Sequence, residues 1–125
     1  MIDITDEQFE DMIGQALDEL PQEYVKRLLK DVAVTWANEP TPEQIVKLNL
    51  RHGQSLLGLY EGLPLTQRYM GYSKVEPDKI TLFKWPICQQ VNNLEDLKDQ
   101  IKKTTWHEMA HFFGLGHDRI HELGG

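Results

Sequence analysis

The sequence predicts one α+β domain, in which a small mixed β-sheet packs against a long helix near the carboxyl end. Apolar residues recur at helical spacing in segments at both ends of the chain. Between them lie short segments that are rich in β-branched residues and bounded by glycine or proline. A length of 125 residues suits a single domain, so residues 1–125 are predicted to fold as one unit.

Two helices are predicted to open the chain. Thr5 can cap the first helix, with Gln8 three residues later returning the hydrogen bond. The apolar stripe that should face the core consists of Phe9, Met12, Ile13, Ala16, Leu17 and Leu20. Pro21 suits the first turn of the second helix. The residues predicted on the buried side of that helix are Tyr24, Val25, Leu28 and Leu29.

Three strands and a short helix are predicted in the middle of the chain. Residues 32–36 and 56–60 form the first two strands, and a helix begins at Thr41 between them. The third strand, residues 80–85, lies between two prolines, which is typical of a strand near a sheet edge. Such an edge can pair with an extended peptide, although an internal strand without a substrate role fits the pattern equally well.

A long final helix is predicted to begin after Asn93 and to carry a cluster of histidines. His107 and His111 are four residues apart, so their imidazoles share one face of the helix and can bind one metal ion. Glu108 lies about 100° further around the helix, where its carboxylate can reach a water molecule on the metal. Glu108 is therefore the candidate general base of a catalytic metal site.

A third metal ligand is predicted just after this helix. Gly114 can adopt the left-handed backbone that ends a helix, and the reversal brings His117 back towards the same ion. His121 lies four residues further along and competes with His117 for this position. His52 is a weaker candidate, because a set of three histidines needs no fourth protein ligand.

Zinc is the predicted cofactor, and peptide hydrolysis is the predicted reaction. Zinc with three protein ligands keeps one open position, lowers the pKa of water to about 7 and polarises a carbonyl group. Glu108 would take the proton of that water and pass it to the leaving amine. The alternative is that polar residues fall at this spacing by chance on a surface helix.

The motif also carries a family resemblance. The pattern His-Glu-x-x-His-x-x-Gly-x-x-His, residues 107–117, resembles that of the metzincin clan of zinc endopeptidases. Together with residues 56–62, 80–83 and 119–124, it is more closely similar to the small bacterial minimal matrix-metalloprotease-like domains, which are zincin-like. The resemblance covers nearly the whole chain and implies a zincin/metzincin-like fold with an active-site helix. The implied zinc ligands are His107, His111 and His117, and the implied base is Glu108.

The sequence departs from these relatives in two respects. The third-ligand position of the small domains is often aspartate, whereas His117 matches the larger metzincins. Larger metzincins place a methionine turn under the zinc, yet only eight residues follow His117 and none is methionine. The predicted fold therefore lacks the C-terminal Met-turn subdomain. This motivates a second hypothesis, a zinc-binding interaction or regulatory module with weak, lost or partner-dependent catalysis.

Residues 67–73 resemble the loop that covers the active site in this family. Within this segment, Arg68, Tyr69 and Tyr72 are candidate contacts for the substrate or for the oxyanion that forms when water attacks. Tyrosines also serve as ordinary surface or packing residues, so that alternative stays open.

Composition and charge limit the partners. The net charge of −7 argues against nucleic acid and anionic membranes, and it favours neutral or basic peptide or protein substrates. No apolar stretch approaches the length of a transmembrane helix. Cys88 is the only cysteine, which excludes an internal disulfide and a cysteine-rich zinc site. The acidic start lacks the features of a signal peptide, so a cytoplasmic location is predicted, while the oligomeric state is not predicted.

Overall fold

The computed structural model describes residues 1–49, 57–69, 71–72 and 77–115, without the side chains of Leu48 and Asn49. The described residues contain five α-helices, three strands and a short 3₁₀ turn at Leu65–Gln67. The helices are α1 (Asp6–Glu19), α2 (Gln22–Asp31), α3 (Pro42–Asn49), α4 (Lys84–Gln89) and α5 (Leu94–Phe113). The strands are β1 (Val32–Ala37), β2 (Gly58–Glu61) and β3 (Asp78–Phe83). The predicted α+β class is confirmed.

The three strands form one mixed sheet in the order β1-β3-β2. β1 runs parallel to β3, and β2 runs antiparallel to it. β3 has a hydrogen-bonded neighbour on both sides, so the predicted edge position of residues 80–85 is wrong. The strand ends at Phe83 because α4 begins at Lys84. Pro86 fits into the first turn of α4, where no backbone N–H is needed for the helix.

Side-chain caps fix the starts of three helices. The Thr5 hydroxyl accepts a hydrogen bond of 3.1 Å from the Gln8 amide, and the Gln8 side chain accepts one of 2.8 Å from the Thr5 amide. Thr41 and Gln44 form the same reciprocal pair at the start of α3. The side chain of Asn93 accepts a backbone hydrogen bond of 2.8 Å at the start of α5. The three predicted helix starts are therefore confirmed.

The core lies between α1, α5 and the sheet. The predicted stripe of α1 is buried, except that Leu17 is half-buried against the core. On α2, Val25 and Leu28 are buried, but Leu29 is 52% exposed. The prediction for Leu29 is wrong because this residue lies about 100° from Leu28 around a helix that turns only one face to the core.

α5 is held by several elements, and these contacts fix the position of the histidine motif. α1 packs against this helix, as do β2 and β3. The fully buried ring of Trp106 meets Tyr24 of α2 edge to face, with 5.6 Å between ring centroids. A helix anchored in this way can hold side chains in the narrow geometry that a metal site requires.

Candidate metal centre

His107 and His111 lie one turn apart on one face of α5, and both are half-buried. Their ring centroids are 4.9 Å apart, with an angle of 76° between the ring planes. Together with Glu108 they form a group whose potential ligand atoms all lie within 4.8 Å of one another. The structure thus brings together the three residues on which the sequence-based site is centred.

The donor set of this group suits a divalent cation. Zinc–nitrogen bonds are about 2.0–2.1 Å long, so two imidazole nitrogens on one ion lie at most about 4.2 Å apart. The 4.8 Å bound on the observed group is close to this limit. Imidazole is a good ligand for zinc and for several other transition metals. His117 and His121, the candidates for a third ligand, lie outside the described residues, as does His52.

Gly114 ends α5 in the predicted left-handed conformation, with φ of 73° and ψ of 28°. Its backbone N–H donates to the carbonyls of Ala110 and His111, which closes the last turn. A Cβ at this position would lie only 2.6 Å from side-chain atoms of Thr66. Glycine is therefore required here both for its backbone conformation and for the close approach of the 3₁₀ turn.

Glu108 is only 3% exposed. Its Oε1 atom accepts a hydrogen bond of 3.0 Å from the backbone N–H of Tyr60 in β2. Hydrogen bonds to a carboxylate are stronger than those between neutral groups, and they offset part of the cost of its burial. The sheet thereby orients the carboxylate of the candidate base.

The close approach of β2 to α5 depends on Gly58. A Cβ at this position would lie 2.8 Å from Cγ2 of Thr104 and 3.4 Å from Cγ of Glu108. The first distance is too short for two carbon atoms, so a larger residue would force the strand and the helix apart. A glycine inside a strand is a known sequence signal for close packing, and it was the available clue to this contact.

β2 directs part of its backbone away from the sheet. The Phe83 amide donates a hydrogen bond of 2.9 Å to the Leu57 carbonyl, which turns the backbone of Leu57 towards β3. Because antiparallel pairing alternates along a strand, the backbone groups of Gly58 and Tyr60 point to the opposite side. The hydrogen bond from Tyr60 to Glu108 lies on that side. β2, and not β3, therefore forms the edge of the described sheet that borders the candidate site.

Sequence reasoning missed the contact between Tyr60 and Asp78. The Tyr60 hydroxyl donates a hydrogen bond of 2.6 Å to Oδ2 of Asp78, which is 4% exposed. Burial of the phenol, reinforced by the hydrogen bond to Asp78 and its charge, raises the pKa of Tyr60 well above its ordinary value. The hydroxyl consequently remains a donor. Asp78 lies outside the segments that carry the family resemblance, and the contact joins two separate strands, so no local spacing in the sequence indicates it.

The three candidate substrate contacts, Arg68, Tyr69 and Tyr72, differ in their surroundings. The Arg68 guanidinium forms an ion pair with Asp78, and its Nε donates a hydrogen bond of 2.8 Å to the Leu63 carbonyl. Tyr69 is 69% exposed, and its ring meets that of Tyr72 edge to face at 5.8 Å. Arg68 also lies 5.0 Å from the centre of the Tyr72 ring. A role of these residues towards substrate stays a prediction.

These features define a small α+β domain with a candidate divalent-metal site on a core helix, beside a sheet edge. A family model described as Zincin-like metallopeptidase matches residues 29–125, and the protein belongs to this family. Membership implies a divalent metal ion, for which the His-Glu-His group is the candidate site. No curated protein matches the chain. Among the described residues, no helix combines the length and apolar character that crossing a membrane would need.

Proposed function

We propose that this protein is a zinc-dependent metallopeptidase, with His107 and His111 as metal ligands and Glu108 as the general base. The observation that carries the proposal is the position of the Glu108 carboxylate, which is buried beside two imidazoles and held by the edge of β2. A purely structural zinc site normally has four protein ligands and needs no base. The family match over residues 29–125 supports the same conclusion.

In this proposal, His107 and His111 would hold a zinc ion, which would supply an activated water and polarise the carbonyl of the scissile bond. Glu108 accepts the proton of the attacking water and delivers it to the leaving amine. The hydrogen bond from Tyr60 to Oε1 restrains rotation of the carboxylate, so the base is oriented before the substrate arrives. Burial of Glu108 limits its contact with bulk water, which would otherwise compete for its proton.

The proposed substrate is an extended peptide that runs along the outer side of β2. The Gly58 backbone groups and the Tyr60 carbonyl turn to this side, whereas the Tyr60 N–H is already bonded to Glu108. A peptide can add to such an edge by main-chain hydrogen bonds. Main-chain pairing depends little on the peptide sequence. The net charge of −7 favours neutral or basic peptides over acidic ones, and it disfavours nucleic acid and anionic membranes as partners.

The test combines metal analysis with hydrolysis of a mixed peptide library. We expect one zinc per chain in the wild type and in Glu108→Gln, and much less in His111→Ala. Cleavage should fall at least about 100-fold in Glu108→Gln, because glutamine cannot accept a proton at neutral pH. Glutamine keeps an acceptor for the Tyr60 amide, so this loss would report the base and not the fold. Cleavage that persists in Glu108→Gln would contradict the assigned role.

The same measurements distinguish the second hypothesis, a zinc-binding module, from the metallopeptidase. Stoichiometric zinc without cleavage would favour an interaction or regulatory module with weak, lost or partner-dependent catalysis. A wild-type protein without stoichiometric metal would contradict both hypotheses. A side-by-side comparison of His117→Ala and His121→Ala identifies the third ligand as the residue whose loss releases zinc.

A further inference from the structure

Tyr60 contacts α5 at two points. Its backbone N–H donates to Glu108, and its ring meets the ring of Phe112 edge to face, with 5.9 Å between ring centroids. Glu108 and Phe112 are four residues apart, so they lie one turn apart on the same face of the helix. The backbone and the side chain of Tyr60 therefore both contribute to the placement of β2 on α5.

Asp78 fixes the side chain of Tyr60 from the neighbouring strand. Tyr60 lies opposite Ile80 in the antiparallel pair, which makes Asp78 its diagonal neighbour on β3. The hydrogen bond of 2.6 Å from the phenol to Oδ2 spans this diagonal. Asp78 is only 4% exposed, and a buried carboxylate needs strong donors, because each lost donor leaves part of its desolvation cost uncompensated.

Arg68 supplies a second donor to Asp78 and leads back to the helix. Its Nη2 contacts the same Oδ2 atom that accepts the Tyr60 hydroxyl. The guanidinium also lies over the ring of Phe112, 5.3 Å from its centre. A closed circuit of contacts thus runs from Glu108 through Tyr60, Asp78 and Arg68 to Phe112, and along α5 back to Glu108.

We propose that Tyr60, Asp78 and Arg68 are positioning residues that set the orientation of the Glu108 carboxylate. In its catalytic consequence, this inference rests on the function proposed above. Arg68 acts through Asp78 and Tyr60, and not as a donor to the oxyanion. Opening the circuit lowers kcat, because the base loses its orientation, while metal content and KM are retained.

Tyr60→Phe is the sharpest test, because it removes the hydroxyl and keeps the ring and the backbone amide. The first readout is hydrogen exchange of the residue-60 amide, followed by NMR in the purified protein. We expect this exchange to accelerate about tenfold or more as the hydrogen bond to Glu108 opens more often. The Leu59 amide, whose backbone alternation turns it towards β3, is the internal control and should keep its rate.

The second readout is kinetic. In Tyr60→Phe we expect kcat to fall about tenfold, with KM and zinc content unchanged. Tyr24→Phe is the matched control, because the Tyr24 ring also packs on α5, against Trp106 and Phe113. This variant should leave both kcat and the exchange of the residue-60 amide at their wild-type values.

Variants of Arg68 separate a positioning role from a direct one. Arg68→Lys keeps a positive charge for Asp78 but loses the planar group that stacks on Phe112. Arg68→Gln loses both the charge and the planar group. The exchange rate of the residue-60 amide should therefore be highest in Arg68→Gln, intermediate in Arg68→Lys and lowest in the wild type. An oxyanion donor would behave differently, because its loss would lower kcat without changing this exchange rate.

Two results would overturn the inference. One is unchanged exchange of the residue-60 amide in both Tyr60→Phe and Arg68→Gln. The other is equal acceleration at Leu59 and at residue 60, which would indicate a general loss of stability. If the wild type cleaves no peptide, the proposed function fails, yet the exchange measurements still decide whether the circuit holds Glu108.

Discussion

The backbone N–H of Tyr60 donates a hydrogen bond of 3.0 Å to Oε1 of Glu108, although 48 residues separate the two in sequence. His107 and His111, by contrast, belong to the same stretch of helix as Glu108. The candidate site therefore has a local part that helical spacing fixes and a long-range part that depends on the packing of β2 against α5. Substitutions can address the two parts separately.

Gly58→Ala is expected to disturb the long-range part. The added methyl group would lie 2.8 Å from Cγ2 of Thr104 and would move β2 away from Glu108. Overpacking of this kind typically lowers the free energy of unfolding by about 1–3 kcal/mol. Urea denaturation measures this loss, and we expect kcat to fall with it.

Two further variants test this explanation of Gly58→Ala. Gly14→Ala places a methyl group in α1 where no atom of the described residues, apart from the backbone of its own helix and its chain neighbours, lies within 4 Å. It should raise stability by about 0.5–1 kcal/mol. Thr104→Ser in the Gly58→Ala background removes Cγ2 but keeps the hydroxyl that accepts from Gln100, so it should recover part of the loss. A double variant that is no more stable than Gly58→Ala would argue against the steric cause.

Metal removal is expected to lower thermal stability. A ligand that binds only the folded state stabilises it by about 2.7 kcal/mol when its free concentration is about 100-fold above Kd. Calorimetry should therefore show a Tm that rises with added zinc and falls on chelation. In His111→Ala the dependence on zinc should largely disappear. A zinc response as large as that of the wild type would mean that the ion binds elsewhere.

Gly114→Ala is expected to destabilise the end of α5 more than Gly71→Ala destabilises its own turn. Both glycines have positive φ, 73° and 84°, and the backbone cost of a side chain there is about 1–2 kcal/mol each. At Gly114 the new Cβ would also lie 2.6 Å from Thr66, whereas at Gly71 no atom of the described residues beyond its chain neighbours lies within 4 Å. Chemical denaturation gives the loss in the free energy of unfolding for each variant. The difference between the two losses measures the steric contribution of Thr66. Equal losses in the two would exclude a contribution from Thr66.

Alkaline pH is expected to weaken the wild type more than Tyr60→Phe. Burial and the contact with Asp78 raise the pKa of Tyr60 in the folded state above the unfolded value of about 10. The resulting stabilisation is fully present below pH of about 10 and is lost as pH rises towards the folded pKa. Urea denaturation at about pH 9 and about pH 11 measures the free energy of unfolding at each pH. The part of its decrease that comes from Tyr60 should be absent in Tyr60→Phe. Parallel losses in both proteins would count against the raised pKa.

Local features of the fold could be predicted from the sequence. The caps at Thr5, Thr41 and Asn93 depend on residues three positions apart, and the histidine group depends on residues four positions apart. Helical geometry alone determines both. The identity of the third ligand and the extent of the domain stay predictions.

Long-range features could not be predicted in the same way. Proline on either side of residues 80–85 predicted an edge strand, but these prolines lie outside the β3 ladder and leave it free to pair on both sides. Aspartate is a residue type that usually lies on the surface. The burial of Asp78 depends on hydrogen bonds from Tyr60 and Arg68, which come from other segments. The residue pattern of a single segment does not predict which distant donor will bond to the Asp78 carboxylate.

The placement of both imidazoles on a single turn of α5 has a consequence for how a newly made chain matures. An ion can bridge His107 and His111 once that turn has formed, whereas Glu108 meets Tyr60 only after distant segments have assembled. We therefore expect capture of metal to precede the orientation of the base. Until the strands have packed against α5, a bound ion would lack an oriented base, so the proposed hydrolysis would begin only when tertiary structure is complete.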